Sequence, residues 1–288
     1  MIKISDYKTA SGGAEFYKCA SVDTTNHTWT GYKAVLNDGV YTFESNVTTG
    51  LSYTSVIPVV GSIYTTDALA NIVSLYTGFP LDGLVFYAPF SSSSGTAVTG
   101  QTLEYNSSAH NVTFTTQNGI ACAKSIASTS PDTWAVRANS STLPLGTSPC
   151  TMSIWLKAEN EWYNAQDGML GYGYDSNASY RQIGIGRASY YGNTFNCFIG
   201  YLAASTADYT TPTQWHNLCA VYDGSYAILY RDGVQVSKTA YAVNTGSGYL
   251  TFSWNRLSNM YFAAARIYNR VLQPPEIAAL ASEFTPTI

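Results

Sequence analysis

"WHNLCAVYDGSYAILYRDGVQV", Trp215 to Val236, is cut into three apolar runs by Asp223-Gly224 and Asp232-Gly233. Gly tolerates the positive φ of a two-residue primed turn, so Asp232-Gly233 reads as a tight hairpin. Between the turns, Tyr226, Ile228 and Tyr230 fall on one face of a strand; Ala227, Leu229 and Arg231 fall on the other. Upstream, Leu218, Ala220 and Tyr222 oppose Trp215, Asn217, Cys219 and Val221. Apolar groups on both faces suit a strand packed inside a sandwich. The segment is expected to form a three-stranded antiparallel meander, with Cys219 a buried thiol.

The rest of the chain extends this β pattern. From residue 81 onward, turn residues recur every 8–12 positions, the spacing of short strands in an all-β domain. The exception is QPPEIAALASEF, Gln273 to Phe284, where two prolines precede a short helix with Ile277 and Leu280 on one side. Residues 1–62 read as short polar strands, EFYKCASV, TWTGYKAVL, GVYTFES and LSYTSVIPVV, with a turn at Asn37-Asp38-Gly39. In TTDALANIVSLYTG, Leu69, Ile72, Val73 and Tyr76 recur at helical spacing, with Thr66 or Asp67 as cap and Gly78 as stop. That spacing predicts a linking helix. The domain boundary is expected after it, with a small β module at 1–79 and a larger domain at 80–288. The first module is short for an independent core, so it is expected to lean on a neighbour or on another copy.

Composition narrows the function classes. Charged residues make up 11% of the 288, under half the usual share of about 25%. Ser and Thr, 64 together, and 24 Tyr take their place. With a net charge of −4 and no basic run, a nucleic-acid partner is not expected. No stretch reaches the roughly 20 apolar residues of a membrane span, and the first residues do not resemble a signal peptide. The five cysteines are odd in number and contain no CxxC, so neither zinc nor a redox pair is signalled. Six N-x-S/T sequons occur, which a chain so rich in Ser and Thr produces largely by chance.

Four stretches carry a family resemblance over 81–284. LDGLVFYAPFSSSSGTAVTG looks like an opening strand with its Ser/Gly loop, and CTMSIWLKAE like an inner strand with Trp155 near Ser153. The Trp215–Val236 stretch and AAARIYNRVLQPPEIAAL are the most specific of the four. Together they resemble the laminin-G-like, concanavalin A-like lectin/glucanase family. That resemblance implies a two-sheet antiparallel jelly-roll sandwich, one sheet concave, with long loops at one rim. It also makes Trp215-His216 a packing feature and not the start of a catalytic site. Closing strands of the family often carry an acidic pair where this chain reads Ala263-Ala264-Ala265.

A glycosidase needs two carboxyl groups about 5–9.5 Å apart. Only Glu159 and Glu161 have the i, i+2 spacing of a pair on one face, and they follow a strand instead of lying in it. No G-x-S-x-G elbow is present, so no catalytic residue is assigned. Family members often hold Ca²⁺ with loop oxygens; Asp167, Asp175 and Asn177 have that chemistry but no EF-hand-like spacing. No metal ligand is assigned to them. Residues 159–193 gather the strongest recognition palette: Trp162, Tyr163, Tyr172, Tyr174, Asp175, Tyr180, Arg181, Tyr190 and Tyr191. Aromatic faces beside carboxylates and Arg forks suit sugar rings, which have apolar C–H faces and a hydroxyl rim.

The expected function is non-catalytic recognition of a glycan or host surface polysaccharide, by a protein displayed on a phage tail fibre or a cell surface. Residues 1–79 would serve attachment or homo-oligomerisation. The alternatives are a capsid or filament subunit, predicting large apolar interfaces, and a polysaccharide-degrading enzyme, predicting carboxylates converging in a groove.

Overall fold

The computed structural model describes residues 15–37, 40–52, 63–66, 72–75, 79–80, 82–91, 96–97, 99–106, 111–126, 134–139, 142–159, 166–173, 183–188, 194–199, 202–208, 211, 213–255 and 259–284. The chain divides into two compact units, Met1–Leu84 and Val85–Ile288.

The first unit is an antiparallel sheet of β1 (Glu15–Asp23), β2 (Thr28–Asn37), β3 (Val40–Ser52), β4 (Ile63–Thr66) and β5 (Ile72–Leu75), ordered β3-β2-β1-β4-β5. Asp23 builds the β1–β2 turn: its Oδ1 accepts the N–H groups of Thr25 at 3.0 Å and Asn26 at 3.1 Å. Among the described residues, Tyr17, Cys19, Trp29 and Leu51 are buried together, with Val22 packed on them. Tyr17 meets Trp29 edge to face at 6.1 Å. Gly31 makes room for this contact, because a Cβ there would lie 2.9 Å from Trp29 Cζ3.

The linking helix is corrected here. Ile72–Leu75 is strand β5, paired antiparallel with β4 through Tyr64↔Leu75 and Thr65↔Ser74. Its four residues include the β-branched pair Ile72-Val73, which is stiff at χ1 and suits a strand. A short apolar run cannot be assigned by periodicity alone, and the hairpin partner decided it. Residues 67–71 lie outside the described residues.

The second unit holds β6 (Leu84–Ala88), β7 (Leu103–Tyr105), β8 (Thr113–Gln117), β9 (Ile120–Ser125), β10 (Trp134–Asn139), β11 (Cys150–Ala158), β12 (Gln166–Tyr172), β13 (Ile183–Ala188), β14 (Thr194–Ile199) and β15 (Leu202–Asp208). It continues with β16 (His216–Tyr222), β17 (Tyr226–Arg231), β18 (Val234–Ala240), β19 (Tyr249–Asn255), β20 (Met260–Tyr268) and helix α1 (Pro274–Ser282). One sheet runs β18-β17-β16-β11-β20-β6, with the β8–β9 hairpin joined through β9 to β20; the other runs β15-β14-β13-β12-β19-β10-β7. Their inner faces meet at an aromatic centre. Phe252 of β19 lies 5.9 Å from Phe86 of β6, 5.0 Å from Phe90 and, stacked, 6.3 Å from Phe262 of β20. All four rings are buried, each contributing about 1.5–3 kcal/mol of burial free energy. The expected antiparallel sandwich is the observed fold.

The meander forms as its alternation indicates. β16, β17 and β18 pair antiparallel, and Asp232 (φ 52°) and Gly233 (φ 82°) make the tight turn. Gly233 answers a second demand, since an added Cβ would sit 3.2 Å from both Ala278 Cα and Ala281 Cβ of α1. That helix begins with Pro274 and is held by the Glu276 carboxylate, which accepts the Gln273 N–H at 2.8 Å. Ile277 and Leu280 are its buried residues, as the sequence predicts. Trp155 Nε1 donates to the Leu280 carbonyl at 3.2 Å, and its ring meets Phe284 edge to face. Ala263, Ala264 and Ala265 are fully buried in β20, so an acidic pair there would be desolvated.

Candidate functional site

The Trp215-His216 corner is consumed by structure. His216 Nδ1 lies 2.7 Å from Asp232 Oδ2, and Nε2 lies 3.1 Å from the Thr211 carbonyl and 3.2 Å from its hydroxyl. The second Asp232 oxygen accepts the Asn217 N–H at 2.8 Å, and Trp215 Nε1 donates to the Gln117 carbonyl at 3.1 Å. Both imidazole nitrogens face protein groups, and the carboxylate pins the hairpin turn to β16. The arrangement holds the meander together.

Glu159 is likewise engaged. It follows β11, forms an ion pair with Lys124, and accepts from Asn259 Nδ2 at 2.7 Å and Tyr261 Oη at 3.0 Å. The hydrogen bond from Lys124 is the main reason its carboxyl lies below the usual range, and the Asn259 bond adds to it. A carboxylate held ionised this way is a poor general acid, because that role needs a raised pKa. Glu161 lies outside the described residues. Among the described residues, no group of three His, Cys, Asp or Glu side chains is placed to hold a metal ion. Asp175 and Asn177 lie outside them, and only the backbone of Asp167, in β12, is described.

Of the expected recognition residues, Tyr172 alone is described, and its placement corrects its role. Its ring is fully buried, and its hydroxyl donates to the Pro144 carbonyl at 2.7 Å. Tyr172 is part of the core and presents no face to a ligand. Trp162, Tyr163, Tyr174, Asp175, Tyr180, Arg181, Tyr190 and Tyr191 lie outside the described residues.

A different cluster, of Glu104, Arg137 and Tyr249, stands on the outer face of the seven-stranded sheet, and the Trp134 ring reaches it from the start of β10. Along β7, β10 and β19, Leu103, Val136, Ala138, Leu250 and Phe252 turn into the core. Register sets Arg137 directly opposite Glu104 on one side and Thr251 on the other. Tyr249, opposite Asn139, lies one pleat further along that face. The Arg137 guanidinium carbon lies 4.4 Å from the Trp134 ring centre and 4.4 Å from the Tyr249 ring centre. Arg137 Nε and Nη2 both reach Glu104 Oε2 at 2.7 Å. The group remains open to solvent: Glu104 keeps 48% of its side-chain surface, Arg137 30%, and Tyr249 is half exposed.

This cluster combines a cation held by two π-faces, a carboxylate whose second oxygen has no partner among the described residues, and an exposed ring. The sequence concealed it because its members come from three strands joined by long connections. The local signal is the alternation in WAVRAN and YLTFSWN, which puts Arg137 and Tyr249 on outward positions but cannot make them neighbours.

The Concanavalin A-like lectin/glucanases superfamily model matches residues 131–278, which include β10 and β19 and with them Trp134, Arg137 and Tyr249. No curated protein matches the chain. Among solved structures, the binding domain of Paraclostridial Mosquitocidal Protein 1 aligns with 69% of this chain and 52% of its own at 12% identity and a TM-score of 0.51. The botulinum neurotoxin type C structure aligns with 69% of this chain and 51% of its own, at 11% identity and TM-score 0.52. For the receptor binding domain of botulinum neurotoxin D the figures are 69%, 52%, 10% and 0.51. The chain thus spans about half the length of these three structures, and at these identities the likeness is one of fold. With more than half its length matched by the family model, and the sandwich and closing helix in place, the chain belongs to the concanavalin A-like lectin/glucanase superfamily.

Proposed function

We propose that this chain is a non-catalytic recognition protein that binds a carbohydrate of a cell-surface glycan or host polysaccharide. The observation that supports this most is the open Trp134–Arg137–Tyr249 cluster with Glu104, on the outer face of a lectin-family sandwich. Sugars bind through C–H faces on aromatic rings and hydroxyls on charged groups, and the cluster offers both within one patch. Segment 159–193, with Trp162, Tyr163, Tyr174, Asp175, Tyr180, Arg181, Tyr190 and Tyr191, supplies further residues of the same chemistry. The type C botulinum neurotoxin, whose cell entry depends on interaction with two ganglioside molecules, has the same fold.

The first unit is the attachment or homo-oligomerisation part in this reading, and the display site is a virion, a phage tail fibre or a cell surface. A glycan and bacterial-polysaccharide array with the full-length chain, with and without Ca²⁺, tests the function. Specific binding is expected. Loss on Tyr249→Ala assigns it to the sheet face, and loss on Trp162→Ala or Tyr174→Ala assigns it to segment 159–193. A blank array with folded protein would overturn the glycan reading in favour of a capsid or filament subunit.

A further inference from the structure

Resting on that glycan reading, we infer that the Glu104–Arg137 pair makes the sheet-face cluster a site for neutral, hydroxyl-rich saccharide units. Glu104 is its specificity-determining residue, excluding anionic units such as uronates. The geometry of the pair carries the inference. An unpaired Arg between two aromatic rings would be a ready carboxylate receptor, because its planar fork matches a carboxylate with two parallel bonds. Here the Nε–Nη2 edge of that fork is occupied, both nitrogens converging on Glu104 Oε2. A ligand carboxylate would have to displace Glu104 or approach beside its charge, on a chain whose net charge is already −4.

The remaining capacity fits hydroxyl groups. Glu104 Oε1 accepts from one hydroxyl, and Arg137 Nη1 donates to a neighbouring one, so adjacent hydroxyls on one ring match the pair. Tyr249 keeps half its surface exposed although one side of its ring lies against Arg137, which leaves the opposite side for a sugar C–H face. The Trp134 and Tyr249 ring centres lie within about 9 Å of each other, since each is 4.4 Å from the same guanidinium carbon; one or two sugar units cover that span. The stacked, ion-paired Arg137 is also fixed before the ligand arrives, which lowers the ordering cost of binding.

The test uses the full-length chain and matched probes: each uronate-bearing oligosaccharide, such as hexagalacturonate, beside its carboxyl-reduced neutral counterpart, within a wider array of neutral glycans. Wild-type protein is expected to bind neutral probes and not the uronates. Tyr249→Ala should abolish that binding with its melting temperature unchanged. Glu104→Gln, which frees the Arg137 charge with little change of shape, should gain uronate binding of about tenfold while neutral binding falls only a few-fold. Equal or tighter wild-type binding of uronates, or no gain in Glu104→Gln, would overturn the inference. Neutral binding that survives Tyr249→Ala overturns this site and leaves the glycan reading standing. An array on which no probe binds removes the glycan reading itself, and this inference with it.

Discussion

Two arginines in this molecule have nearly the same partners and opposite surroundings. Arg266 of β20 lies 4.4 Å from the Tyr87 ring centre and pairs with Glu283 at 2.6 Å, with its side chain wholly buried and that of Glu283 5% exposed. Arg137 of β10 lies 4.4 Å from two aromatic rings and pairs with Glu104 at 2.7 Å, on an open sheet face. The first pair joins the closing strand to the residue that ends α1 and spends its hydrogen bonds inside the protein. The second leaves a carboxylate oxygen and an Arg nitrogen without a partner among the described residues, on side chains 48% and 30% exposed. Residue types thus do not separate a closed clamp from an open cluster; the exposure left to each atom does. Sheet and helix contribute differently as well. Arg266 pairs with the residue that follows α1, whereas the Arg137 pair joins two neighbouring strands of one sheet.

The largest effect that would break this contrast is in Arg266→Ala. Removing one partner of a buried pair strands the other charge, so a loss of about 3–5 kcal/mol is expected in urea unfolding. Arg137→Ala should cost about 1 kcal/mol or less, as for an exposed pair. Equal losses would mean that the two clusters do the same work. Next is Gly233→Ala, which adds a Cβ 3.2 Å from α1 at a φ of 82°; a loss of about 1–3 kcal/mol is expected by the same measurement. An unchanged value would show that the hairpin does not rely on this close approach to the helix.

The Lys124–Glu159 pair lies between the two extremes, with side chains 24% and 29% exposed. The Glu159 carboxyl is lowered on folding, first by the Lys124 hydrogen bond. Its stabilisation is therefore full above the ordinary carboxylate range and lost as pH falls through the lowered folded value. Urea midpoints of wild type and Glu159→Gln should differ by no more than about 1 kcal/mol at pH 7 and converge toward pH 3. A constant gap would place the effect in packing instead of charge. The smallest expected stability change is for Tyr249→Ala, within about 0.5 kcal/mol. It is also the variant expected to remove glycan binding. A large destabilisation would move Tyr249 from the open class into the closed one.

The reach of sequence reasoning follows the range of the interactions. Turns and alternation are set within a few residues, so the meander at Trp215–Val236, the sandwich and the Pro274-initiated helix were legible. The run at Ile72–Leu75 fits a helical and a strand pattern equally, and pairing with β4 decides between them. Tyr172 drew attention as one tyrosine among many in an aromatic stretch; only the Pro144 carbonyl and the fully buried ring reveal its place in the core. The sequence by itself determined the family, the layer architecture and the neutral, hydroxyl-rich character of the chain. Tertiary structure alone decided which charged and aromatic side chains became neighbours. Glu104, Arg137 and Tyr249 sit on strands far apart in the chain, and the register of three paired strands brings them onto one face. Burial then made the final distinction, by leaving water on that Arg and taking it from Arg266.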